Sequence, residues 1–98
     1  MKGIVYGATY AKAKEQLEQI IKDYESVGIV TYRVNELSGK MIVDFVNGDN
    51  WIAISTNASV RGYMCNIAYI DDKISHSIIN LEIMPAIKAL PYRGYYYY

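Results

Sequence analysis

The chain has little of what most catalytic and metal chemistry requires. Its 98 residues include one cysteine, one histidine and two prolines. A lone cysteine, Cys65, cannot close an intramolecular disulfide and suits a reducing compartment. With His76 as the only histidine, a zinc site would have to draw on Cys65 and scattered carboxylates, without the tight spacing such sites use. A Cys65–His76 nucleophile pair lacks any signalled third group to orient the base. Cys65, just before an apolar strand, reads instead as a small buried hydrophobe, and His76, between Ser75 and Ser77, as a solvated residue. Ten basic and ten acidic residues cancel, so no net field draws the chain to nucleic acid or to an anionic membrane. No apolar run reaches the roughly 18 residues of a membrane span, and Met1-Lys2-Gly3 leads straight into a strand rather than a leader. A cytoplasmic protein without membrane association is the expectation. A Gly-x-x-x-x-Gly-Lys-Ser/Thr phosphate loop and a glycine-rich dinucleotide fingerprint are both missing. These absences lead us to expect no catalytic residues, no metal, no cofactor and no enzyme activity.

What is present describes a small globular domain. An apolar fraction of 52% with 20% charged residues argues against disorder. Residues 2–7 form a short apolar run closed by glycine. Thr9 is placed to cap a helix over 10–26, with Tyr10, Ala13, Leu17, Ile20, Ile21 and Tyr24 on one side. Gly28 ends it. Strands are expected at 29–34 and 41–46, joined by a polar segment containing Gly39. Asn47-Gly48 predicts a two-residue type I′ hairpin. That turn pairs Val46 with Asp49 and Val43 with Ile52. It places Met41, Val43, Phe45, Ile52 and Ile54 on one face, and Ile42, Asp44, Val46, Trp51 and Ala53 on the other. A strand at 66–70 ends in Asp71-Asp72. A second helix follows over 73–83, with Ile74, Ile78 and Leu81 inward and Ile79 as a further candidate, ended by Pro85. The expected fold is α/β (α+β), a small mixed, largely antiparallel sheet of about five strands with two flanking helices. Residues 1–91 make the domain and 92–98 a tyrosine-rich tail.

Three runs carry a family resemblance: GATYAKAKEQLEQIIKDYE from Gly7, VDFVNGDNWIAIS from Val43, and VRGYMCNIAYIDD from Val60. In this order they resemble the central part, the Walker-B half, of the ATPase domain of phage large terminases. That family carries a strand ending in a small-residue turn, a helix opening with an Ala-Lys pattern, a hairpin, an Arg-Gly loop and a hydrophobic strand ending in Asp-Glu. The resemblance spans residues 3–83 and implies a small phage-type protein. The departures bear on chemistry. Gly7 precedes Lys12 without the second glycine or the hydroxyl residue of a phosphate loop, and Asp72 stands where the family places a water-activating Glu. The resemblance therefore implies the scaffold without its hydrolytic site. Asp71 and Asp72 are candidate cation ligands or, alternatively, caps of the second helix.

Binding is the function these residues leave. Arg61, Gly62, Tyr63 and Asn66, with Trp51 on the preceding strand, offer a guanidinium fork, close backbone approach and stacking surfaces. They suggest a pocket for an anionic, aromatic ligand such as a nucleotide derivative. The alternative is that Arg61 pairs with Asp71 or Asp49 and that Trp51 simply packs. The end of the chain places Tyr92, Tyr95, Tyr96, Tyr97 and Tyr98 together. Tyrosines give large contact area at low rotamer cost, so these five are expected to form an interface in a homo-oligomer, foremost a dimer. Stacking on nucleic-acid bases and simple fraying are the competing readings. The expected function is that of a non-enzymatic phage-type accessory protein acting by binding, foremost a counter-defence factor. Its partner would be a host protein, or a nucleotide-type small molecule that it sequesters. A nucleic-acid-associated or DNA-packaging module is the alternative, and a degenerate nucleotide hydrolase the third reading. Nucleic acid should bind weakly or not at all.

Overall fold

The computed structural model describes residues 1–56, 63–87 and 94–98. In chain order they form β1 (Lys2–Gly7), α1 (Tyr10–Ser26), β2 (Tyr32–Leu37), β3 (Lys40–Phe45), β4 (Asn50–Ser55), β5 (Ile67–Ile70), α2 (His76–Ile78) and β6 (Gly94–Tyr97). Helix α2 runs on as a π-helical stretch, Ile79–Ile83, and a 3-10 turn, Met84–Ala86. The strands make one mixed sheet in the order β2-β3-β4-β1-β5-β6. The fold is α/β, with two helical elements, as the sequence led us to expect. The sheet has six strands and is mostly parallel rather than largely antiparallel. Among these strands only β2–β3 and β3–β4 run antiparallel, whereas β1 is parallel to both β4 and β5, and β6 is parallel to β5. The reason lies in β1, whose consecutive Ile4, Val5 and Tyr6 are all buried. An uninterrupted apolar run suits a central strand covered on both faces, and parallel strands are covered in this way. Among the described residues no helix is long and apolar enough to cross a membrane.

Each face of the sheet has its own core. On one, Ala13, Leu17, Ile20 and Ile21 of α1 pack on Val5, Met41, Val43, Phe45, Trp51 and Ala53. On the other, Ile74, Ile79 and Ile83 pack on Ile4, Tyr6, Ile54, Ala68 and Ile70. Helix α1 starts where expected, with Thr9 extended and its hydroxyl accepting the Lys12 N–H. At its other end Gly28 takes φ +89° and the Ile29 N–H bonds back to the Tyr24 carbonyl at 3.0 Å. Residues 29–30 therefore belong to the helix exit, and β2 begins at Tyr32 rather than at residue 29.

The hairpin after β3 differs from expectation by one residue. Val43 pairs with Trp51 and Ile42 with Ile52. Asn47 does not take the positive φ of a type I′ turn; Gly48 alone does, at +95°. The Phe45 N–H bonds to the Asp49 carbonyl and the Gly48 N–H to the Phe45 carbonyl, which makes a three-residue loop, Val46-Asn47-Gly48. The Asn47 side chain holds that loop by accepting the Asp49 N–H at 3.0 Å. A one-residue slip moves every side chain of a strand to the opposite face. Trp51 and Ala53 thus join Met41, Val43 and Phe45 beneath α1, while Ile52 and Ile54 turn to the α2 face.

The second helical element also departs from its predicted phase. Ser75, whose hydroxyl accepts the Ile78 N–H, is its cap, and the helix begins three residues later than expected. Ile79 and Ile83 are buried, but Leu81 is 76% exposed. Leu81, two residues on from Ile79, lies on the far side of the element. The Met84 N–H bonds to Ile79, five residues back, which widens the turn and keeps Ile79 and Ile83 inward.

Strands β1 and β4 meet closely at Gly3, whose register partner is Trp51. The indole lies over the glycine, and a Cβ built there would come within 2.4 Å of its ring carbons. Trp51 cannot yield: it is buried, and its Nε1–H donates to Tyr24 Oη at 2.9 Å. Gly3→Ala should therefore cost about 1–3 kcal/mol through overpacking, read as a lower urea midpoint. An unchanged midpoint would contradict this packing.

Candidate functional site

The carboxyl ends of β1 and β5 lie side by side, and the chain leaves them on opposite faces, into α1 and toward α2. In open α/β sheets this divergence opens a crevice where ligands commonly bind. Asp71 lies at its floor, 1% exposed. Its Oδ2 accepts the Ala8 N–H at 2.9 Å and its Oδ1 the Lys73 N–H at 3.0 Å. Its own N–H donates to the Tyr6 carbonyl at 2.9 Å, and its carbonyl accepts the Ile74 N–H at 3.1 Å. One carboxylate thus ties the turn after β1 to the turn after β5. Gly7 is held from the other side, its carbonyl accepting the Thr56 N–H at 2.9 Å.

Tyr98 reaches across the ends of β5 and β1. Its N–H donates to the Ile70 carbonyl, its carbonyl accepts the Asp72 N–H, and its Oη donates to the Tyr6 carbonyl at 2.8 Å. Burial, with added repulsion from Asp71 and Glu15, pushes the Tyr98 phenol well above the usual tyrosine range. It stays a neutral donor at any physiological pH. On the α2 side the Tyr6 hydroxyl is buried without a hydrogen-bond partner among the described residues. Burial, with Cys65 and Tyr63 nearby, raises its pKa in the same direction.

Of the residues expected to form a ligand pocket, Trp51, Tyr63 and Asn66 are among those described, and they lie apart. Trp51 packs beneath α1, edge-on to Tyr69 at 5.7 Å, and offers no free face. Tyr63 packs against the opposite core, with Lys40 Nζ 6.0 Å from its ring centre. Asn66 lies at the far end of β5, where its Oδ1 accepts the Lys2 N–H at 2.9 Å and its carbonyl the Gly94 N–H. Arg61 and Gly62 lie outside the described residues. Asp49 accepts from Tyr24 Oη at 2.7 Å and lies 3.3 Å from the N-terminal ammonium. Asp71 and Asp72 do not cap α2, since Ser75 does. Asp71 braces two turns and Asp72 is exposed. Among the described residues no group of three His, Cys, Asp or Glu is placed to hold a metal.

The tail is part of the sheet. Gly94–Tyr97 forms β6 alongside β5, and Tyr95, Tyr96 and Tyr97 are about half exposed. Tyr92 lies outside the described residues. The role of Tyr98 over the crevice was not visible in sequence, because four consecutive tyrosines carry no register signal.

No family model and no curated protein matches the chain. Solved structures do, at the level of fold. The large terminase from a thermophilic bacteriophage aligns with a TM-score of 0.64 and 13% identity, covering 98% of this chain and 24% of that one. The same terminase in complex with ATP-gamma-S gives 0.60 and 12% over the same shares. The Thermus phage P74-26 large terminase ATPase domain gives 0.57 and 15%, covering 98% of this chain and 46% of that one. The chain therefore has the fold of part of a phage large terminase ATPase domain and spans less than half the length of the structures it matches.

Two outcomes follow from this geometry. Asp71→Ala leaves the Ala8 and Lys73 N–H groups without their acceptor and should cost about 1–3 kcal/mol, whereas exposed Asp72→Ala should stay within about 0.5 kcal/mol. Equal losses in chemical denaturation would refute the bracing role. Cys65 is 2% exposed and burial pushes its thiol up to about 11. The native chain should therefore resist a thiol reagent at mildly alkaline pH and react only on unfolding. Rapid labelling without denaturant is the contrary result.

Proposed function

We propose that this chain is a phage-type accessory protein that acts by binding, in the cytoplasm of the host cell, and does not hydrolyse nucleotides. The observation that carries this reading is the occupation of Asp71. Both of its oxygens accept backbone N–H groups that fix the β1–α1 turn and the turn after β5. The β1–α1 turn itself passes from Gly7 to the Thr9 cap within two residues, leaving no loop of backbone amides long enough to wrap a phosphate chain. Counter-defence is the biological role we attach to this binding, with a host protein as the target in preference to a nucleotide signal. The preference rests on Trp51 and Tyr63, which lie on opposite faces of the sheet and cannot sandwich one base.

A nucleic-acid-associated packaging module is the second reading. It draws on the likeness to terminases, and zero net charge weighs against it because few phosphates would be neutralised. The purified chain, incubated with ATP or GTP and magnesium, should release phosphate no faster than buffer. Turnover abolished by Asp71→Asn, in a variant whose circular dichroism shows it folded, would defeat the proposal in favour of a degenerate hydrolase. Tight binding of DNA at about 150 mM salt would favour the packaging reading, since contacts to backbone phosphates weaken steeply by that ionic strength.

A further inference from the structure

The geometry points to β6 as a dimerisation edge that pairs antiparallel with β6 of a second copy of this chain, about a two-fold axis at Tyr96. The inference rests on the reading that the chain acts by binding, and it assigns one surface and one partner. Among the described residues strand β6 is outermost, paired only with β5. The Gly94 N–H donates to Asn66, the Tyr98 N–H to Ile70, and the Tyr98 carbonyl accepts from Asp72. Gly94, Tyr96 and Tyr98 therefore turn their backbone groups inward. By the alternation of a strand, Tyr95 and Tyr97 turn their N–H and carbonyl groups to the open side.

Open edges are normally blunted by charge, proline or a bulge. The other edge of this sheet follows that rule: β2 carries Arg33, Asn35 and Glu36, and Glu36 is held by Tyr10 Oη and by Lys14 Nζ. Strand β6 reads GYYY and has no charge. Its three tyrosines are 50%, 54% and 53% exposed, which leaves an adhesive aromatic ribbon beside unpaired backbone groups.

One register of a two-fold pairing satisfies all of these groups. Tyr95 lies opposite the partner's Tyr97, and Tyr97 opposite the partner's Tyr95. Both are hydrogen-bonded pairs, so every outward N–H and carbonyl is met. Tyr96 then faces its own copy on the axis, in the non-hydrogen-bonded pair where side chains approach closest. The side chains match as well as the backbone. On the α2 face Tyr95 and Tyr97 already meet edge-to-face, with centroids 5.9 Å apart at 85°, and the partner's pair extends that cluster. On the α1 face Tyr96 leans on Tyr69 at 5.3 Å, and the axis doubles that contact. Cross-strand aromatic pairs stabilise such ladders. With no charged side chain on the strand and no net charge on the chain as a whole, two copies meet without net repulsion. The contact is narrow, so the dimer should dissociate at low micromolar concentration.

Sedimentation of the full chain from low to high micromolar concentration tests the edge, and cysteine cross-linking tests the register. We expect a reversible monomer–dimer equilibrium that Tyr97→Lys abolishes, because two lysines would then stand on the paired edges. Under mild oxidation Tyr96→Cys should cross-link, since a non-hydrogen-bonded pair sets Cα atoms about 4.5 Å apart, within disulfide reach. Tyr95→Cys should not cross-link, because its copy lies diagonally across the axis. Buried Cys65 serves as the internal control. A monomer at every concentration, a dimer that survives Tyr97→Lys, or cross-linking at residue 95 in place of 96 overturns the inference. A monomer leaves the proposal of binding without hydrolysis standing, and a dimer that hydrolyses ATP defeats that proposal while sparing this one.

Discussion

Strand β1 is paired along both edges and buried on both faces, and the other elements take their positions from it. Parallel neighbours on each side meet its backbone groups, and Ile4, Val5 and Tyr6 alternate into two separate cores. Because the Val5 side must be covered, α1 lies on one face. Because Ile4 and Tyr6 must be covered, the helical stretch after β5 lies on the other. The divergence of the two connections creates the crevice at the strand ends, and burying peptide groups there requires an acceptor for each. The Asp71 carboxylate serves two of them. Both oxygens of that residue are turned toward backbone N–H groups of its own chain.

The two edges of the sheet follow different rules. At β2 polar and charged side chains face solvent, and its residues are exposed on both sides. At β6 tyrosine rings flank an unpaired ladder. Among the described residues this asymmetry distinguishes a polar edge from an aromatic one. The chain spans less than half the length of the terminase structures whose fold it shares.

Local signals were reliable where one residue acts on its immediate neighbours. Thr9 caps α1, Gly28 ends it, and the apolar positions of α1 face the core as their spacing requires. The resemblance to the terminase fold was legible in the same way, from the order of short strands, turns and acidic ends. The Asn47-Gly48 pair shows where locality fails. Its dipeptide chemistry is compatible with either a two-residue or a three-residue loop, and the choice falls to packing. Only the longer loop brings the Trp51 indole over Gly3 and its Nε1–H to Tyr24. Burial of the largest side chain outweighs a turn preference, and β4 rotates by one residue to allow it.

By itself the sequence determined the α/β class, the helix beneath the sheet, the short apolar first strand and the lack of a phosphate loop, because each depends on periodicity or on residue types within one segment. Only tertiary structure decided which face Trp51 joins, that Asp71 braces two turns instead of capping α2, and that Leu81 points outward. It also decided that the terminal tyrosines form a strand with Tyr98 over the crevice. Each of these depends on contacts between segments far apart in the chain, such as Tyr98 with Tyr6 or Asp71 with Ala8. The free energy of such a contact belongs to neither segment alone, so neither segment's sequence records it.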